Sequence, residues 1–156
     1  MRRGRRLALD VGKARIGVAV CDPECILSSP LAAIKRNIDL ALTISELVRV
    51  IADNEVIEIY IGEPVSLAGG STQSTDDARL VAEELAKETS IPVRLVDERF
   101  TTVSAASKLR EAGLKAREAK SHIDSASAVE ILELALRLER SSGSEPGTRI
   151  GQTNGS

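Results

Sequence analysis

The chain has 156 residues, a net charge of −2, 42% hydrophobic and 28% charged residues, and only 1% aromatics. That length suits one packed domain with an aliphatic core, and no apolar run approaches the roughly 20 residues needed to span a bilayer. The charge balance excludes a uniformly basic polyanion binder, and Cys21 and Cys25 with one histidine are too few ligands for a zinc site.

Residues 1–6 carry four arginines and read as a flexible basic arm. They lead into an alternating strand and not into an apolar helix with a cleavage site, so a cytoplasmic address is expected. Leu7–Val11 and Ile16–Val20 are two short apolar runs around the turn Gly12-Lys13-Ala14-Arg15. They set one carboxylate, Asp10, in water-avoiding surroundings, a costly place unless the charge is paired or binds a metal. Along the second run Ile16, Val18 and Val20 share a face, while Gly17 and Ala19 leave the other nearly bare, which allows close approach to the backbone. Leu31–Ile34 follows the Ser28-Ser29-Pro30 turn as a third strand and completes a three-stranded antiparallel meander.

The period then changes. From Asp39 to Asp53 the residues Leu40, Ile44, Leu47, Val48 and Ile51 form one helical face. Val56–Ile61 is a continuous apolar run of the kind buried in a parallel sheet, ending at Gly62-Glu63-Pro64 and an exposed loop through Ser74. Thr75-Asp76-Asp77 reads as the cap of a helix that turns Ala78, Val81, Ala82 and Leu85 inward and closes near Ser90. Ile91–Val96 is a second parallel strand with Asp97, Glu98 and Arg99 at its end. Thr102 starts a helix to Ala112, stopped by Gly113, and Lys108, Arg110, Lys115, Arg117 and Lys120 make the following region basic. A last helix is expected over about 121–140, and residues 141–156 have little to bury and read as a disordered tail. The expected domain, 7–140, is thus α/β: a mixed five-stranded sheet, three antiparallel strands plus two parallel ones, flanked by helices.

Three acids in this scheme point to one place. Glu98 stands past the C-terminal end of a buried strand, where open α/β sheets put their ligands. Asp124 shares a helical face with Ala128, Ile131, Leu132 and Ala135, the face that should meet the sheet. With Asp10 they form a cluster whose mutual repulsion amounts to several kcal/mol at an effective dielectric near 20. Oxygen-only ligands favour Mg²⁺ or Mn²⁺, which can activate water at a phosphodiester and stabilise the leaving oxygen. Each acid also has an ordinary role available: Asp10 capping a turn, Glu98 pairing Arg99, Asp124 starting a helix. His122, two positions from Asp124, reads as a solvated or helix-start residue.

The hairpin Asp-x-Gly-x-x-x-x-Gly-x-Ala resembles both the first phosphate loop of actin and sugar-kinase ATPases and the first hairpin of ribonuclease H-like nucleases. The chain is too short for paired ATPase lobes and lacks their second phosphate loop. LDVGKARIGVAVCD, GEPVSLAGG, VDERFTT and HIDSASAVEIL, in that order, resemble the four signature blocks of the bacterial YqgF family. The likeness covers about Leu7 to Leu138. It implies a ribonuclease H-like fold and a nuclease of the Holliday-junction-resolvase-like or pre-16S ribosomal RNA kind. It also implies Asp10, Glu98 and Asp124 as catalytic metal-binding acids, and Arg15 and Arg99 as basic positions suited to phosphate. Two positions depart from pattern: Ser121 and Ser127 where related resolvases carry a second acid, and Glu63 where the family has an apolar residue.

With so few aromatics, nucleic acid is expected to be held by backbone charge and not by base stacking, through Lys13, Arg15, Arg99, Thr101, Lys108, Arg110, Lys115, Arg117 and Lys120. The expected substrate is the 5′ end of pre-16S rRNA, with branched DNA and a non-catalytic RNA-binding module as the alternatives. No membrane partner is expected, and both a monomer and a homodimer are open; symmetric cutting of a junction would call for a two-fold dimer.

Overall fold

Strands β1 (Arg6–Val11) and β2 (Arg15–Cys21) pair antiparallel around the predicted turn, with Leu7 opposite Val20 and Asp10 opposite Gly17. The computed structural model describes residues 1–64, 72–100 and 125–151, Phe100 by its backbone alone. Strand β3 (Ser28–Lys35) adds to β2 antiparallel and completes the expected meander. Helix α1 (Leu40–Asn54) is capped by Asp39, whose side chain accepts from Ala41 N–H, and the chain leaves it through Glu55 in a left-handed conformation. Strand β4 (Glu58–Glu63) then lies parallel to β1. Helix α2 (Gln73–Glu88) returns the chain to β5 (Val93–Asp97), parallel to β4. A single 3₁₀ turn, Glu98–Phe100, follows, and past the undescribed residues come α3 (Ala126–Ser142) and β6 (Thr148–Arg149). Sheet order is β3-β2-β1-β4-β5-β6.

Side-chain alternation divides the core into two layers. Leu7, Leu9, Ile16, Val18, Ile59 and Ile61 pack under α1 and α2, against Ile44, Leu47, Val81 and Leu85. Their neighbours Ala8, Ala19, Tyr60 and Val96 face α3, against Ala128, Ile131, Leu132 and Ala135. Each fully buried Leu or Ile contributes about 1.5–3 kcal/mol of transfer free energy, so the two apolar faces, and not helix propensity, hold the helices in place.

Four expectations are corrected. Arg6 is the first residue of β1 and completely buried, so residues 1–6 are not a free arm. Its guanidinium donates to Glu139 Oε1 at 3.1 Å and Tyr60 Oη at 3.1 Å, while Arg2 reaches Glu139 Oε1 and Glu58 Oε1, both at 2.6 Å. The counter-charges that make this burial tolerable sit on β4 and the last turns of α3. The cap of α2 is Thr72, not Thr75; Thr75 is the third helical residue of a capping box, its N–H donating to Thr72 Oγ1 at 3.1 Å.

The sheet has six strands and not five, and residues 141–151 are not part of a disordered tail: α3 runs to Ser142 and the chain then turns back to pair with β5. Gly147, at φ +71°, allows the close approach to β5; a Cβ there would collide with the Leu95 carbonyl. Arg94 Nε donates to Pro146 O at 2.6 Å, and Ile150 N–H to Val93 O at 2.9 Å. The helix expected from Thr102 to Ala112 lies outside the described residues. Among those described, no helix is long and apolar enough to cross a membrane.

Candidate active site

The meander, β4 and β5 all bring chain to one edge of the sheet, the C-terminal ends of its parallel strands. Asp10 follows Ala8 by two residues and so faces α3, half-buried. Opposite it in the register is Gly17, which adds no side chain between the carboxylate and the helix layer. Since Leu9 pairs with Ile61 in the parallel ladder, the next residue along places Asp10 beside Gly62.

Gly62 is where the second acid arrives. A Cβ built on it would meet Glu98 Oε2 at 2.8 Å, Glu98 Cδ at 2.9 Å and Ile131 Cδ1 at 2.5 Å. The Glu98 carboxylate therefore rests on the bare Cα of Gly62, walled by α3. Two carboxylates from β1 and the turn after β5 thus share the α3 face of the same sheet edge. The other face of this edge holds two more, Glu63 and Asp97, side by side in the β4–β5 register. Both are met by arginines: Arg79 Nε lies 2.5 Å from Glu63 Oε2, and Arg99 Nη2 lies 2.6 Å from Asp97 Oδ2. The hydrogen bonds from Arg99 hold the Asp97 carboxyl below the usual carboxylate range. The basic residue next to Glu98 in sequence is thus engaged with Asp97, and the unexpected acid at position 63 has its cation in Arg79.

Lys13 and Arg15 are exposed on the β1–β2 turn, just past Asp10. Asp124, Thr101, Lys108, Arg110, Lys115, Arg117, Lys120 and His122 lie outside the described residues. Among the described residues no group of three or more His, Cys, Asp or Glu gathers closely enough to hold a metal ion. The donors among the described residues nonetheless suit one kind of cation: two carboxylates, with no sulfur or imidazole among the described residues beside them, and a glycine seat that leaves Glu98 room over the backbone. That is a hard-cation donor set.

A family model described as "RuvX: Holliday junction resolvase" matches residues 4–138. This chain belongs to the RuvX family. The matched span runs from before β1 into α3 and carries the four blocks noted in the sequence. RuvX relatives include proteins named "Putative pre-16S rRNA nuclease" from Streptomyces coelicolor and Clavibacter michiganensis. The first is 49% identical over 96% of this chain and 90% of its own length, and the second 45% identical over 96% and 93%. Among solved structures, Thermus thermophilus RuvC in complex with a Holliday junction substrate superposes with a TM-score of 0.63 at 14% identity, covering 92% of this chain and 99% of that one. The likeness establishes a shared ribonuclease H-like fold.

Two residues that shape the candidate site of this RuvX protein were not singled out from sequence. Gly62 looked like the end of a strand, and its use as the seat of Glu98 depends on β4, β5 and α3 meeting there. Ser125 is completely buried at the start of α3. Its Oγ accepts from Val18 N–H at 3.0 Å and donates to Leu31 O at 2.7 Å, fixing the helix start beneath β2 and β3. Its one sequence signal was a serine at the head of an apolar helix.

Proposed function

We propose that this protein is a divalent-metal-dependent nuclease that hydrolyses phosphodiester bonds in structured RNA, acting at the 5′ end of pre-16S rRNA. The observation that carries the reading is the placement of Asp10 and Glu98 on one face at the strand ends, with Gly17 and Gly62 keeping that face open. The names of the relatives support the substrate. In this reading Asp10, Glu98 and Asp124 hold Mg²⁺ or Mn²⁺. When bound, such an ion supplies a polarised phosphate and a water of lowered pKa. Asp10 from β1 and Glu98 from its glycine seat would hold that ion beside the reacting phosphate, and Lys13 and Arg15 hold neighbouring phosphates by charge.

The family description favours a second reading, cleavage of four-way DNA junctions. One experiment separates them: a labelled pre-16S 5′-leader RNA and a synthetic junction, side by side, with Mg²⁺, Mn²⁺ or EDTA, using wild type and Asp10→Asn. Metal-dependent cleavage of the RNA, abolished by Asp10→Asn, is expected. Preferential symmetric cutting of the junction would replace the RNA reading by the resolvase reading. Binding without cleavage of either would leave a binding module.

A further inference from the structure

Arg36 is where the β1–β2 turn, the end of β3 and α2 meet. Its Nη1 donates to Gly12 O at 3.0 Å and to Asp77 Oδ2 at 2.5 Å, and its Nη2 to Asp77 Oδ1 at 3.1 Å. Its backbone N–H donates to Ala14 O at 2.9 Å, while Gly12 N–H closes the turn on Arg15 O at 2.9 Å. The carbonyls of Gly12, Ala14 and Arg15 are all engaged, two of them by Arg36. A Cβ on Gly12 would stand 2.7 Å from Arg15 O, so this close return of the turn on itself accommodates only glycine.

The far end of the clamp is itself anchored. Thr75 donates through its hydroxyl to Pro64 O, and Arg79 pairs with Glu63, so α2 is fastened to the end of β4. A cleft of about 470 Å³, lined among others by Lys13, Arg36, Gln73 and Asp77, opens between these parts.

The strands do not need this clamp. β1 and β2 are aligned over five residue pairs and buried on both faces, whereas Lys13, Ala14 and Arg15 are exposed and bury nothing apolar. A pair as open as Arg36–Asp77, 17% and 27% exposed, adds on the order of a kilocalorie to the fold at most. What it does fix is the direction in which the turn presents its two cations. Cations already in place lose less freedom on binding a polyanion.

We propose that Arg36 is a positioning residue: together with Asp77 it holds the β1–β2 turn so that Lys13 and Arg15 face the phosphate backbone of substrate lying beside Asp10. The inference rests on the nuclease reading above and names how that site grips its substrate.

The test is steady-state cleavage of the leader RNA, with KM and kcat resolved, for Arg36→Ala, Arg36→Lys, Asp77→Ala and the Arg36→Ala/Asp77→Ala double variant. Each alanine variant is expected to raise KM about tenfold, about 1.4 kcal/mol, with kcat within about twofold of wild type. The double variant should be no worse than either single one, because one clamp is lost once. Arg36→Lys should recover only part, since an ammonium cannot fork to a carboxylate and a carbonyl together. Asp77→Ala decides against a direct contact: it leaves the Arg36 cation in place, so a KM equal to or below wild type there overturns the proposal. An unchanged KM in Arg36→Ala, with only a lower melting temperature, overturns it as well. If wild type neither binds nor cleaves the RNA, it is the nuclease reading that fails, and this inference falls with it.

Discussion

Replacing Gly62 by alanine adds one methyl group where Glu98, β4 and α3 meet. That carbon would stand 2.5 Å from Ile131 Cδ1 and 2.8 Å from Glu98 Oε2. Non-bonded contacts to carbon relax to about 3.5–4.0 Å, so each neighbour must retreat by about 1 Å. Both are the ends of side chains, and their retreat should cost the fold about 1–3 kcal/mol of overpacking. For a chain of this size that is a fall in Tm of about 2–12 °C. The same displacement at Glu98 acts on chemistry, where a shift of about 1 Å in a positioned group costs about 100-fold in rate. A 100-fold loss is about 2.7 kcal/mol of transition-state stabilisation, as large as the loss to the fold, and it should appear in protein that is still fully folded at the assay temperature. The assay is kcat on the leader RNA at saturating divalent cation, with calorimetry on the same preparation. A variant that melts lower yet cleaves at the wild-type rate would refute the claim that Gly62 aims Glu98.

Glu139→Ala removes the acceptor of five hydrogen bonds from Arg2 and Arg6 and leaves the buried Arg6 guanidinium without its counter-charge. A loss of about 3–5 kcal/mol in urea unfolding is expected, against under about 0.5 kcal/mol for Glu84→Ala, whose partner Lys87 is solvent-exposed. Equal effects of the two would mean that the buried network is not a stabilising unit. Burial pushes the Glu139 carboxyl up, but the hydrogen bonds from Arg2 and the charge of Arg6 outweigh it, and the group lies below the usual glutamate range. Its contribution is thus complete above the unfolded value, about 4.3, and is lost as pH falls through the lower native value. The slope of stability against pH in that acid window should be shallower in Glu139→Gln, and an identical slope would exclude the linkage. Thr72→Ala, which deletes the cap of α2, should cost about 1 kcal/mol, measurable by the same unfolding experiment.

Much of this was legible in the sequence because burial follows period. The alternation in Ile16–Val20 separates the two core layers, and the spacing of Ala128, Ile131, Leu132 and Ala135 marks the sheet-facing side of α3. Asp10 stood out for the same reason, a charge at an inward position. Arg6 did not, because a run of arginines reads as solvated unless the partner is known, and Glu139 is 133 residues away. Strand β6 buries nothing apolar, and its pairing is made by backbone donors and Arg94, which leave no pattern in composition. The engagement of Arg99 was not legible either: the sequence offered phosphate contact, or Glu98 as an ordinary partner, while in the 3₁₀ turn its guanidinium reaches back to Asp97. Several serines and threonines precede α2, and only backbone geometry picks Thr72 among them.

The latch between Arg6 and Glu139 also sets an order of events. Synthesis delivers β1 well before the end of α3. Until Glu139 has left the ribosome, closing the sheet over Arg6 would bury a cation with no matching acid on that helix, at a penalty of several kcal/mol. Before then the α3 face of β1 is uncovered and Arg6 keeps its water, so β1 can pair with β2 and β4 while that face of the sheet stays unpacked. The second core layer can therefore close only once Glu139 has been made, and a copy truncated before Glu139 would be left with Arg6 unlatched.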